Sequence, residues 1–509
     1  MAQAQYTPMI QQYLQIKSEY QDAFLFFRLG DFYELFFEDA VLASRELEIT
    51  LTGRAGGSED KIPMCGVPFH SSEQYIKKLI DKGYKVAVCE QTEDPKQAQG
   101  VVKREVIRVI TPGTVMDPGM LSERENNYIL FLSKETGVFA LVACDLSTGE
   151  VVGTEIHEIS LVIDEIPSFY ASEIVVLDAS FTEQEKEMLQ QYYRDSIQWK
   201  KMKEKRGWQD QTPLLEQIGE HPALRTSLEL LLLYLDETQK RSIQHLKPFQ
   251  MYESKAYLKL DSFSRRNLEI TQSIREGNKK GSLLWLLDQT STAMGGRLIK
   301  KWIQRPLRNQ RQVEERLDVV SSFLQHSIER EDLVQLLDQV YDLERLAVRV
   351  SFGNVSPRDL VQLKKSLLVL PEIRRVVDSI THSYIQKEMD KLDLCQDLAE
   401  LLERALLEEP PLSIKDGGIF KAEYHAELAR LLEASKNGKR WILELEASER
   451  QRTGIKSLKV GFNKVFGYYI EVTRANTHLL EEGRYERKQT LANAERYITP
   501  ELKEKEALS

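Results

Sequence analysis

Two apolar runs, Phe24-Leu25-Phe26-Phe27-Arg28 and Phe32-Tyr33-Glu34-Leu35-Phe36-Phe37, stand on either side of Leu29-Gly30-Asp31. Short blocks of aromatic and aliphatic side chains favour extended backbone, and Gly-Asp between them is a turn signal. The start of the chain is therefore committed to strands. On pattern alone the run reads as core strand. A second reading lies inside it, because residues i and i+2 of an extended segment share a face. Phe32 and Glu34 then point the same way, a ring beside a carboxylate. An apolar wedge unstacks a base step and kinks a duplex by roughly 20 to 90°, at a cost of a few kcal/mol. The cost falls where pairing is already broken, so such a ring separates mispaired from sound DNA while the carboxylate meets a base edge.

The whole chain, 509 residues, is too long for one core and predicts three or four domains of about 100 to 200 residues each. Cys65, Cys89, Cys144 and Cys395 are far apart with no CxxC spacing, which indicates neither a zinc site nor a disulfide framework and predicts a reducing, cytoplasmic setting. No apolar stretch reaches the ~18 residues of a membrane span, and Met1-Ala2-Gln3-Ala4-Gln5 lacks the order of a signal peptide, so a soluble protein without a membrane partner is expected. A net charge of −10 argues, taken whole, against a nucleic-acid partner. Averages conceal patches, however. Arg484, Arg487, Lys488 and Arg496 exceed Glu486 and Glu495 in one short segment, for which a solvated helix end is the competing explanation.

Patterning divides the chain. A helix is predicted over 9–19, strands over 24–28, 32–37, 85–90 and 105–110, a helix over 38–47, and a mobile loop over 52–61. Strands over 128–132, 139–145 and 151–156 predict a meander, and 173–178 another strand. From Leu214 leucines recur at helical spacing over 224–235, 283–288, 312–326, 331–340 and 360–370, and are expected to be core. A long helix over 420–452 follows, then a hairpin over 456–473, with Asn493-Ala494-Glu495-Arg496-Tyr497 opening a returning helix.

Several motifs carry a resemblance. Arg28-Leu29-Gly30-Asp31-Phe32-Tyr33-Glu34-Leu35-Phe36, Ile62-Pro63-Met64-Cys65-Gly66-Val67-Pro68-Phe69-His70 and Val109-Ile110-Thr111-Pro112-Gly113-Thr114 occur in that order. Asn267-Leu268-Glu269-Ile270, Trp302-Ile303-Gln304-Arg305-Pro306-Leu307 and Leu458-Lys459-Val460-Gly461-Phe462-Asn463 continue the series. Together they resemble the amino-terminal part of the bacterial MutS family of mismatch repair proteins, across essentially the whole chain.

The resemblance implies a multidomain fold, α/β followed by all-α. Residues 1–113 would be a mixed α/β mismatch-recognition domain and 122–245 a ribonuclease H-like connector. Residues 255–425 would be a helical core and lever, 426–496 an inserted β-containing clamp with its lever helix, and 497–509 the start of the returning helix. Phe32 becomes the wedge and Glu34 the base-edge partner, with Arg54 near a phosphate and Met64, Pro68 and His70 in a loop behind the wedge. His70 alternatively reads as a satisfied structural histidine. Lys464, Lys488, Thr490 and Asn493 are the expected backbone contacts of the clamp. Glu34 is an unusual choice beside a polyanion unless it binds protonated or meets a base donor.

The partners so implied are mismatched or looped duplex DNA, a MutL-like protein on the connector, and a homodimer that relies largely on a further domain and is not expected to be stable here. That domain is an ATPase using ATP and magnesium. No GxxxxGK[ST] loop occurs in these residues; Gly438-Lys439 is followed by Arg440 in a predicted helix, so the chain, a truncated product or fragment, is expected to bind neither and to be inactive as an enzyme. Two alternatives stand beside DNA recognition. One is a repair scaffold without mismatch sensing. The other is a two-metal nuclease on Asp145 and Asp178, for which no compelling third carboxylate is present.

Overall fold

In the computed structural model the described residues are 6–55, 61–93, 100–194, 196–201, 214, 218–240, 245–463, 467–481, 483–500 and 502, with side chains undescribed at 262 and 434–439. They fall into two compact units, residues 1–399 and 400–509.

The first unit begins with a sheet whose central strand is buried on both faces. Strand β1 (Ala23–Leu29) sends Phe24 and Phe26 to one side, Leu25 and Phe27 to the other. Helix α1 (Pro8–Glu19) covers the second side, packing Ile10 and Tyr13 near Phe27 and Phe36. Helices α2 (Phe37–Leu47) and α3 (Ser72–Asp81) cover the first with Ala40, Ala43, Ile76 and Leu79. That double cover explains a continuous apolar run where a half-exposed strand would alternate. Strands β2 (Phe32–Phe36), β3 (Thr52–Ala55), β4 (Lys61–Pro68), β5 (Lys85–Gln91) and β6 (Arg104–Ile110) complete the order β3-β4-β2-β1-β5-β6, with only β1 and β5 parallel.

Two expectations change here. The stretch 52–61 is not all loop, since Thr52–Ala55 pairs antiparallel with β4, Thr52 opposite Met64 and Arg54 opposite Ile62. Residues 56–60 lie outside the described ones. Pairing overrides the weak strand propensity of Gly53 and Ala55. Met64 and Pro68 likewise sit on strand β4, opposite Phe36 and Phe32. Pro68 closes the strand, where a missing N–H costs no ladder bond.

The predicted meander is present as β7 (Tyr128–Glu135), β8 (Val138–Asp145) and β9 (Glu150–Ile156). Strands β10 (Glu173–Leu177), β11 (Ile197–Lys200) and β12 (Gln250–Met251) extend it to β11-β10-β7-β8-β9-β12. Helix Pro222–Gln239 packs Leu224, Leu228 and Leu231 on one face, and helices Ile159–Glu165 and Glu183–Tyr193 pack Val162 and Leu189 on the other. The buried Glu173 carboxylate joins the two sheets: it accepts from the Thr111 hydroxyl at 2.6 Å, the Gly113 N–H at 3.2 Å, and Tyr234 and Gln198.

Buried arginines tie the helical remainder of this unit together and to the segments flanking the second sheet. Arg297 grips Asp342 at 2.7 and 2.8 Å and Glu344 at 2.8 Å. Arg305 bonds Tyr252 at 2.8 Å and Glu165 at 2.5 Å and lies 4.0 Å from the Phe169 ring. Arg345 donates to the carbonyls of Ser122 and Glu125. Breaking such a buried pair from one side costs about 3 to 5 kcal/mol. The leucines of this region are not uniformly core. Leu286, Leu317 and Leu324 are more than half exposed, because helical periodicity says which residues share a face and not what lies on it.

The second unit holds helix Ala426–Thr453, shorter at its start than expected, with Leu431 and Leu443 exposed. Its sheet has four strands, β13 (Lys459–Asn463), β14 (Gly467–Thr473), β15 (Glu486–Thr490) and β16 (Ala494–Ile498), in the order β13-β14-β16-β15. Residues 493–497 do not open a helix. Ala494, Glu495 and Arg496 are good helix formers individually, but cross-strand contacts decide the matter. Tyr497 sits opposite Ile470, and Arg496 bonds Glu471 at 2.8 Å while stacking 4.2 Å from the Tyr469 ring.

His245 generates a pH prediction. Both ring nitrogens are shut off from water without a partner among the described residues, the ring meets Phe352 at 4.2 Å, and burial holds its pKa down at about 4. The unfolded chain takes up the proton first. Stability from this group is therefore complete above about pH 6.5 and falls by about 1.4 kcal/mol per pH unit as pH drops toward 4. Thermal melting should show His245→Phe matching the parent at pH 7.5 and exceeding it at pH 5.

Candidate nucleic-acid interface

Strand β2 is short and lies between β1 and β4, so its alternation is enforced from both sides. Tyr33 and Leu35 enter the core under α2 and α3. Phe36 enters the opposite core under α1. Toward the hairpin tip this second face emerges from under the helix, and there Glu34 is partly open and Phe32 is 46% exposed. Leu29 and Phe32 face each other across the turn, which has a positive φ of 59° at Gly30 and none at Asp31. A residue with a Cβ is disfavoured at that first turn position.

The tip is braced. The Phe69 N–H donates to the Asp31 carbonyl at 2.9 Å, which joins the end of β4 to the turn. The Arg28 Nε donates to the Gly30 carbonyl at 2.6 Å, and its guanidinium lies 3.6 Å from the centre of the Phe69 ring. Arg104 in turn donates to the Arg28 carbonyl at 2.7 Å. Phe69 is itself 41% exposed, so two aromatic rings stand at one end of the sheet.

Glu34 is not a bare carboxylate. Arg54, reaching from edge strand β3, places Nη1 2.7 Å from Oε2 of Glu34. Gly66 faces Glu34 across β2 and β4, and a Cβ there would lie 3.4 Å from the Glu34 Cγ and 3.3 Å from the Tyr33 carbonyl. The glycine keeps side-chain bulk away from the Glu34 stem. Met64 is half-buried on the α1 side, Pro68 pairs with Phe32, and His70 is exposed in the turn Phe69–Ser71 with its ring edge-on to Phe69 at 5.9 Å. Phe32, Glu34, Arg54 and Pro68 thus share one end of one face. Sequence reasoning missed Arg28 and Phe69; the signal available was an arginine directly before the turn and a ring directly after Pro68.

In the second unit, Lys488 and Thr490 lie on exposed edge strand β15 and Asn493 in the turn to β16. The register shifts between Arg487 and Gln489, so Lys488 is the extra residue of a bulge, a device that re-aims a side chain. Lys488 pairs with Glu486 and Arg487 with Glu495, which offsets much of the basic excess. Lys464 lies outside the described residues. Phe462, 60% exposed, pairs with Tyr468 at the start of β14, whereas Asn493 lies beside the end of that strand, where Ala494 pairs with Thr473, so the two stand at opposite ends of the sheet.

The nuclease alternative fails on geometry. Asp145 stands opposite Tyr128 at the start of β7, whereas Asp178 follows β10 beyond the pairing of Val176 with Leu132 at the other end of the sheet. Asp145 is buried, accepting from Asn126 at 2.7 Å and from the Ser147 hydroxyl at 2.7 Å, and Asp178 pairs with Lys186 at 2.6 Å. Among the described residues no three His, Cys, Asp or Glu side chains are placed to hold a metal ion, and no helix is long and apolar enough to cross a membrane.

Known families match the sequence of this chain segment by segment. The family profile of MutS domain I matches residues 7–118, that of MutS domain II residues 127–247, and that of MutS domain III residues 264–501. The chain belongs to the MutS family. It is 58% identical over 506 residues to the DNA mismatch repair protein MutS of Bacillus licheniformis and 58% identical over 508 residues to that of Bacillus subtilis. The MutS of Halalkalibacterium halodurans is 52% identical over 504 residues. Each alignment covers 99% of this chain and 57 or 58% of the relative, so the chain spans little more than half the length of the MutS relatives it matches.

The exposure of Phe32 sets a stability expectation. Phe32→Ala should shift folding free energy by under about 1 kcal/mol, whereas Phe27→Ala, from a fully buried position, should cost about 3 to 5 kcal/mol. Urea titration of both variants measures the difference.

Proposed function

We propose that the chain binds mismatched or looped duplex DNA, with Phe32 entering the stack at the mispair and Glu34 meeting a base edge. The observation that carries this reading is a half-exposed phenylalanine on a strand whose other aromatic rings are core, held beside a carboxylate by a braced turn. Nothing in packing calls for that ring at the surface. Base–aromatic stacking is worth about 1 to 3 kcal/mol, enough to decide between a step already weakened by mispairing and one that is sound. Correct pairing takes up the Watson–Crick hydrogens, so Glu34 gains no base partner there, keeps Arg54 alone, and pays for desolvation among phosphates without return. Specificity then comes from rejection as much as attraction.

The MutS family also suggests the wider frame. We assign the second sheet and its helices to a connector of ribonuclease H-like fold that receives a MutL-like partner, and the sheet of the second unit to a clamp on the DNA backbone through Lys464, Lys488, Thr490 and Asn493. Arg54 joins the tip contacts. ATP and magnesium are assigned to none of these residues; Gly438-Lys439 lies within helix Ala426–Thr453. A cytoplasmic, DNA-associated location accompanies this assignment.

Competition binding with matched and mismatched oligonucleotides provides the test. The parent should prefer the mismatch, Phe32→Ala should lose most of that preference, by about five- to a hundredfold, and Glu34→Ala should bind matched duplex more tightly. A scaffold without mismatch sensing would bind both duplexes alike in all three proteins. For the clamp, Lys488→Ala should weaken binding to every duplex equally and make the slope of log K against log salt shallower by about one unit.

A further inference from the structure

We propose that Arg54 is a specificity-determining residue that acts by partner exchange: Glu34 keeps it on matched DNA and releases it to a phosphate when a mispair supplies a base donor. The inference rests on the reading of Phe32 and Glu34 above and adds a residue with a definite task to it. Its basis is the ion pair between Arg54 Nη1 and Glu34 Oε2 at 2.7 Å, which reaches from edge strand β3 across β4 to β2.

Three features make the pair exchangeable. The Arg54 side chain is 40% exposed and that of Glu34 18%, so water screens the contact and keeps it weak. The contact joins one guanidinium nitrogen to one carboxylate oxygen, where a phosphate can take a two-pronged grip. Arg54 also hangs from an edge strand, free to swing outward without disturbing the paired strands on its other side.

The chemistry then separates two bound states. On matched duplex the Watson–Crick hydrogens are taken up by pairing within the closed stack, so Glu34 retains Arg54 and the charge of the pair sums to zero. At a mispair a base edge offers a hydrogen, Glu34 accepts it, and the guanidinium turns to the backbone. The mismatched complex therefore holds one more phosphate than the matched one. Counterion release converts that difference into a slope: log K against log salt steepens by about 0.9 for each phosphate neutralised on duplex DNA.

The test measures binding of the full chain to matched and single-mismatch duplexes across a salt series. The parent should prefer the mismatch and show a steeper slope on it by about one unit. In Arg54→Gln both slopes should fall to the shallow value. In Glu34→Gln, where nothing holds the guanidinium back, both should rise to the steep value. Arg54→Lys should keep the difference, and circular dichroism confirms that each variant is folded. Equal slopes in a parent that still prefers the mismatch, or a slope difference surviving in Arg54→Gln, would overturn the exchange while leaving mismatch reading intact. A parent with no mismatch preference would overturn both.

Discussion

The pairing of β2 between β1 and β4 is the constraint on which the rest depends. With a partner on each side, a one-residue slip would turn Tyr33 and Leu35 out of their core and Phe32 and Glu34 into it. Tyr33 and Leu35, buried on one face, and Phe36, buried on the other, forbid that slip. The same register that satisfies the core therefore delivers a ring and a carboxylate to the surface, at the end of the sheet that α1 leaves uncovered. Bracing by Phe69 and Arg28 adds rigidity where an entering ring would otherwise be pushed back.

The proposed approach of an acidic chain to a polyanion rests on pairs that phosphate can compete for. With a net charge of −10, cations at the candidate interface lie beside carboxylates: Arg54 with Glu34, Lys488 with Glu486, Arg487 with Glu495. Each is a surface pair, weak in water and open to competition from phosphate. Elsewhere the pairs are buried and structural. Arg297 with Asp342 and Arg305 with Glu165 fasten segments far apart in sequence and are not available for exchange.

Much of the first sheet was legible because its cause is local. Alternating or continuous apolar runs with Gly-containing turns foretold β1, β2, β5, β6 and the β7-β8-β9 meander to within a residue or two at most boundaries. Strand β3 was hidden, since Thr52-Gly53-Arg54-Ala55 becomes a strand only because β4 lies beside it. Strand β16 was mistaken for a helix for the same reason, its ties to β14 being invisible in a helix-favouring local sequence. At the tip, Phe32 and Glu34 were readable from an i, i+2 rule and a family motif. The Arg54 contact was not, because it joins residues twenty positions apart.

The central claim is that the Phe32 ring enters the base stack at a mispair, and a fluorescent base reports that event directly. A duplex carrying 2-aminopurine beside a single mismatch brightens when the neighbouring stack opens. Adding the 509-residue chain should raise its fluorescence on mismatched duplex and leave matched duplex nearly unchanged, and Phe32→Ala should bind without the rise. An equal rise with Phe32→Ala, or binding of the parent to the mismatch with no rise at all, would contradict the account.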